Sequence, residues 1–205
     1  MPGNRRVFDK AMKKAAGHVG SKAWPKAIKE YRQALKEFPN DATALLGLAA
    51  AHLEAGQLES AREVFQQLHA AEPNDAPILK QLASVEERLN NLDRARALYN
   101  DLGRLAEKQG NLQQAADAWS KVIEFEPSSV EAQRQLIQLY TSLGQTDKAV
   151  RCCALLARDL QKRGQTREMG RVLRTALRLE PGNPEVVRLL QAANIALDDD
   201  QSLDN

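Results

Sequence analysis

Few side chains in this 205-residue chain could do chemistry, and they fall into three sets: three histidines, two cysteines and a basic stretch near the N-terminus. His18 and His52 stand 34 residues apart, with His69 beyond them. An imidazole can bind a metal or move a proton, but a metal held between two of these rings would need further ligands nearby. They are read as packing residues. Cys152 and Cys153 are adjacent. A disulfide between neighbours is strained, and the pair fits neither a redox Cys-x-x-Cys nor half of a zinc site. They are expected to be reduced, metal-free and packed as small hydrophobes. No G-x-x-x-x-G-K-[ST], H-E-x-x-H, G-x-G-x-x-G or G-x-S-x-G occurs, so the phosphate, zinc-protease, dinucleotide and nucleophile-elbow motifs are all missing. The chain is expected to be no enzyme and to use no cofactor.

The basic stretch could contact phosphates. Residues 1–40 carry ten basic and three acidic groups, a net of +7, whereas residues 41–90 carry three basic and eight acidic groups, a net of −5. Arg5, Arg6, Lys10, Lys13, Lys14, Lys22, Lys26 and Lys29 would supply the contacts to nucleic acid or an anionic surface. No aromatic accompanies them on their exposed face, and no RNA-module signature is present. Over the whole chain the net charge is only +2. A solvated basic cap is the preferred reading, and nucleic-acid binding the alternative. Trp24, just before Pro25, and Trp119 are read as packing groups.

The elements that position these residues are helical. Hydrophobic residues make up 43% and aromatics 4% of the chain, and Ala, Leu, Gln, Glu, Lys and Arg dominate, which favours an all-α fold with a buried core. No run approaches the roughly 20 apolar residues of a membrane span, and Met1 to Lys14 lacks a signal-type apolar segment. A cytoplasmic location is the expectation. One pattern recurs: Ala, a large residue four later, and Pro twelve after the Ala, as in Ala27, Tyr31, Pro39; Ala61, Phe65, Pro73; Ala115, Trp119, Pro127; and, altered, Met169, Leu173, Pro181. A spacing of four places the first two on one helical face, and the proline stops the helix. Upstream of most copies, apolar residues at helical spacing precede Gly56, Gly110 or Gly164, each able to close a helix in the left-handed conformation. The spacing predicts eleven helices, near 7–20, 23–37, 41–55, 58–70, 75–89, 92–108, 112–125, 129–142, 146–162, 166–179 and 183–196.

The helix, tight turn, helix and proline stop, with Ala27 to Ala61 and Pro39 to Pro73 both 34 apart, resemble the tetratricopeptide repeat. The resemblance covers residues 8–183 and implies a right-handed superhelical solenoid. From Ala95 to Ala115 and from Ala149 to Met169 the spacing is 20. Added to 34, this makes a superperiod of 54 that aligns Pro73 with Pro127 and Pro181, Leu102 with Leu156, Arg104 with Arg158 and Gly110 with Gly164. No proline separates the two patterns there, so 92–108 and 146–162 are expected to be shared helices, each closing one repeat and opening the next, with Tyr99 and Cys153 in both. The expected organisation is one domain over 1–197, with repeats near 8–41, 42–75, 76–129 and 130–183, a capping helix 183–196, and an acidic disordered tail 198–205. The opening helix, with Ala11, Lys14 and Ala15 at packing positions, is expected to pack weakly.

In this family the first helix of each pair lines a concave groove. Carried over by position, the resemblance implies a partner-binding groove of Met12, Thr43, Leu46, Ala50, Leu53, Lys80, Ser84 and Arg88, continued by Arg104, Arg134 with Gln138, and Arg158. Leu46, Ala50 and Leu53 would make an apolar stripe, and Lys80, Arg104, Arg134 and Arg158 a basic run able to hold carboxylates. The function implied is a non-enzymatic scaffold or adaptor for a protein or peptide partner, one carrying acidic residues where it meets the basic run. Self-association through the apolar stripe is the other alternative.

Overall fold

The structure, a computed structural model, describes residues 3–194. Among the described residues there are eleven helices and no strand: α1 (Arg5–Gly20), α2 (Trp24–Glu37), α3 (Ala42–Glu54), α4 (Leu58–Ala71), α5 (Ala76–Arg88), α6 (Leu92–Lys108), α7 (Leu112–Phe125), α8 (Val130–Ser142), α9 (Thr146–Lys162), α10 (Thr166–Leu179) and α11 (Pro184–Ala192). The two helices expected to be shared, α6 and α9, are the longest at 17 residues each. The last helix differs from its expected span. It stops at Ala192, and Asn194 already has φ +53°. Residues 195 and 196 of the expected capping helix, and the acidic 198–205, lie outside the described residues.

Helix starts follow local chemistry. Asp41 Oδ1 accepts from Ala44 N at 2.9 Å and Asp75 Oδ1 from Ile78 N at 2.8 Å, capping α3 and α5, while Asn4 and Asn183 cap α1 and α11 in the same way. A short side-chain acceptor at this position satisfies amides that the helix itself leaves unpaired. Turns between helices close through a left-handed residue. Gly56, Gly110, Gly144 and Gly164 have φ between 67° and 75°. At the positions one 34-residue repeat before and after Gly56, Lys22 and Asn90 adopt the same conformation, with φ 54° and 60°.

The chain divides into two compact units, Met1–Tyr99 and Asn100–Asn205, the division falling inside α6. In the first unit, Ala15, Ala27, Tyr31 and Leu48 share one buried cluster, and Leu45, Phe65, Ile78 and Leu82 share another. The opening helix is anchored by a residue outside the repeat pattern: Phe8 is buried and meets the Phe38 ring edge-on, 5.2 Å between centroids. Buried polar groups tie helices to turns at one repeat position. His52 Nδ1 lies 2.7 Å from Gln57 Oε1. Thirty-four residues on, the buried Glu86 accepts from Asn91 Nδ2 at 2.7 Å and pairs with Arg94 at 3.6 Å. In the second unit Cys153, Leu156, Leu160, Met169, Leu173 and Leu190 are buried together.

Candidate partner-binding surfaces

Repeat register places the expected groove residues of the first unit in rows. Met12, Leu46 and Lys80 are 34 apart on α1, α3 and α5, and so are Ala50 and Ser84 on α3 and α5. Leu46 is 43% exposed, one of the few large apolar side chains left facing solvent. Thr43, Ala50, Lys80 and Arg88 are exposed too, and Ser84 is half-buried. Met12 and Leu53 lean inward instead: both are half-buried, Met12 against the cluster of Phe8 and Ala11, and Leu53 against that of Leu45 and Phe65. α3 explains the outward leucine. Its sequence ATALLGLAAAHLE is apolar almost all round, so the inward face cannot hold every apolar side chain. Lys80 and Arg88 carry no ion pair among the described residues.

The arginines of the second unit are engaged. Arg104 pairs with Glu131 at 2.9 Å, Arg158 with Glu185 at 2.7 Å, and Arg134 with Glu168. The first two pairs are 54 residues apart at both ends, so the superperiod repeats an ion pair as well as a packing pattern. A partner carboxylate would have to displace these glutamates. Exposed pairs contribute only about 0–1 kcal/mol, so the exchange is nearly neutral in either direction. Glu131, Glu168 and Glu185 are missing from the sequence-derived set. The recurring Arg-to-Glu spacing of 27 was the available signal.

The second unit also holds a pocket of about 360 Å³, lined by Arg134, Ile137, Gln138, Thr141 and Ser142 of α8, Cys153 and Leu156 of α9, and Val172 and Thr175 of α10. Cys153 and Leu156 are fully buried and form its floor, while the α8 polar side chains reach solvent. Burial pushes the Cys152 thiol up to about 11 and the Cys153 thiol to about 12, the latter raised further by its neighbour. Both are free thiols. At neutral pH neither supplies the thiolate that nucleophilic or metal chemistry needs. Of these lining residues, the sequence places Arg134 and Gln138 in a groove and Cys153 and Leu156 among packing positions; Ile137, Thr141, Ser142, Val172 and Thr175 carry no sequence signal that marks them.

Elsewhere the chemical candidates are spread out. His52 is buried, and burial lowers its imidazole below the ordinary value, outweighing the hydrogen bond with Gln57. Among the described residues no three His, Cys, Asp or Glu side chains converge as a metal site would require, and no helix is long and apolar enough to cross a membrane. The eight N-terminal cations are all exposed. Arg5 pairs with Asp9 at 3.0 Å and lies over the Phe8 ring, and Lys14 lies 3.8 Å from Glu30.

Helix pairs closed by left-handed turns and repeated at 34 residues, with Asp caps on α3 and α5, define an all-α helical repeat protein. Tetratricopeptide repeat models match residues 18–82, 53–108 and 100–151, which together span 18–151 and more than half of the chain. The chain belongs to the tetratricopeptide repeat family, whose members are in general non-enzymatic scaffolds for protein–protein interaction. Among solved structures it is similar to the TPR2B domain of yeast Sti1 in a pHsp70 complex, at 16% identity over 60% of this chain and 98% of that one, with a TM-score of 0.50. It is also similar to MamA, at 20% identity over 79% and 96% with a TM-score of 0.43. A tetratricopeptide repeat protein from Parabacteroides merdae is 14% identical over 92% and 99%, with a TM-score of 0.46. Likeness at these identities concerns the fold alone. No curated protein sequence matches the chain.

Proposed function

We propose that the chain is an adaptor that holds a partner polypeptide along the face of α1, α3 and α5 in its first unit. The observation that carries this reading is Leu46, 43% exposed and level with Met12 and Lys80 in the repeat register. Removing its remaining apolar surface from water favours a partner side chain there. Lys80 and Arg88, unpaired among the described residues, would then meet carboxylates of the same partner. The setting we propose is cytoplasmic, in keeping with two free thiols. Capture from native lysate on the immobilised chain, beside the variants Leu46→Glu and Lys80→Glu, tests the reading. A protein retained through nuclease and high salt by the wild type, and lost with Leu46→Glu, is the expected result; retention indifferent to both substitutions would remove it.

A second reading has its own observation. Of the eight exposed N-terminal cations, six lack an ion pair among the described residues, on α1, α2 and the turn between them. If nucleic acid or an anionic surface is the ligand, retention vanishes with nuclease or modest salt and with Lys13→Glu/Lys14→Glu. Recovery of the chain alone would make Leu46 a contact between copies.

A further inference from the structure

The superperiod offers an internal comparison for the pocket of the second unit. Fifty-four residues before Cys153 stands Tyr99, and 54 before Thr141 stands Glu87. Tyr99 is buried at 6% exposure, and its hydroxyl donates to Glu87 at 2.9 Å. A tyrosine at position 153 in the same conformation would therefore reach toward Thr141, which lines the pocket. The chain has a thiol there instead. Ile137 and Val172 stand where the preceding superrepeat has Ala83 and Ala118, restoring part of the missing volume, yet about 360 Å³ stays open. That is the low end of the roughly 300–1,000 Å³ typical of small-ligand sites.

From this comparison we propose that the pocket is a socket for a tyrosine side chain presented by the partner polypeptide, an inference that rests on the scaffold reading above. Floor and walls are apolar at Cys153, Leu156, Ile137 and Val172, as an aromatic ring requires. The Thr141 hydroxyl donates to Ile137 O at 2.7 Å, which leaves its oxygen lone pairs to accept from a phenol. Gln138, Ser142 and Arg134 at the rim suit the polar backbone of a peptide that carries the ring. Every aromatic within residues 3–194 is buried or half-buried in its own fold, and residues 195–205 contain none, so the ring is assigned to a separate partner polypeptide.

The test uses the full chain, labelled with nitrogen-15, titrated with p-cresol and with toluene. The expected result is saturable shifts at the amides of Cys153, Leu156 and Val172, with p-cresol bound roughly 2- to 10-fold more tightly than toluene, the contribution of one hydrogen bond. In Ile137→Ala/Cys153→Tyr the chain's own ring takes the socket with the packing of Ala83 and Tyr99, so a variant with unchanged helicity should show no saturable shift. Thr141→Val, at an exposed position, should bind both probes equally. In parallel, peptides selected from a random library on the wild type should share a tyrosine whose change to alanine weakens binding on the order of 30-fold, as loss of a buried aromatic anchor does. Absence of a saturable p-cresol shift, or an undiminished one in the folded double variant, overturns the socket. Selected peptides without a common aromatic overturn it too, while leaving the scaffold reading in place. Binding of p-cresol with no peptide selected at all would overturn the polypeptide as its source and the scaffold reading with it.

Discussion

Gly103 lies against the buried Trp119 so closely that an added Cβ would stand 2.7 Å from ring atom Cε2. A rigid, fully buried indole cannot swing aside as a lysine would, and its Nε1 is also tied to Glu107. Gly103→Ala should therefore cost about 1–3 kcal/mol, as overpacking typically does, read by chemical denaturation. The superperiod supplies the control: at the next copy Ala157 shares a cluster with Leu173 in place of the Gly and Trp, so Gly103→Ala/Trp119→Leu should cost less than the sum of its single changes. His52 makes a prediction about pH. Its folded imidazole titrates below the ordinary 6.5 because burial disfavours the charged ring, so the unfolded chain binds the proton first. The contribution is fully present above about pH 6.5 and is lost as pH falls toward the folded value. The melting temperature should drop more steeply between pH 7.5 and pH 5 in the wild type than in His52→Asn; equal slopes would mean that the ring is not the titrating group.

At the scale of the element, most of the architecture was legible in the sequence, because helix ends are local events. Prolines, left-handed glycines and acidic caps act within a few residues, and the shared helices α6 and α9 follow from the missing proline. The early stop of α11 at Ala192 and the anchoring of α1 by Phe8 were not legible. Phe8 lies outside the repeat pattern, and its partner Phe38 is 30 residues away. Turn closure gives the prediction at this scale. Lys22 adopts φ 54°, where Gly56 stands in the next repeat, and a side chain in that conformation costs roughly 1–2 kcal/mol. Lys22→Gly should raise stability by about 0.5–1 kcal/mol once the added freedom of the unfolded chain is subtracted. Hydrogen exchange at the end of α1 would report the gain, and a loss would show that the lysine side chain contributes more than its backbone strain removes.

Across the molecule, charge is abundant but shallow. Arg104–Glu131, Arg158–Glu185 and Arg5–Asp9 all have side chains at least half exposed, so raising salt from low to about 0.5 M should move the melting temperature by no more than about 3 °C. A larger shift would reveal a stronger electrostatic contribution than exposed pairs provide. The candidate sites were less legible than the helices for the same physical reason in each case: they depend on what lies across a gap. Leu46 could be placed on its face by periodicity, yet Leu53, two turns along, turned inward, and the glutamates that occupy Arg104, Arg134 and Arg158 stand 27 or 34 residues further on. The shared helices carry a last consequence, one of parity. Neighbouring helices joined by turns of three or four residues reverse direction, so a two-helix repeat returns to its starting sense, whereas the 54-residue unit contains three helices and does not. Within the second unit α8 and α11 hold equivalent places, starting after Ser129 and Asn183, but with α9 and α10 between them they run in opposite senses. A polypeptide laid across both would therefore run along one from its N- to its C-terminal end and along the other in reverse.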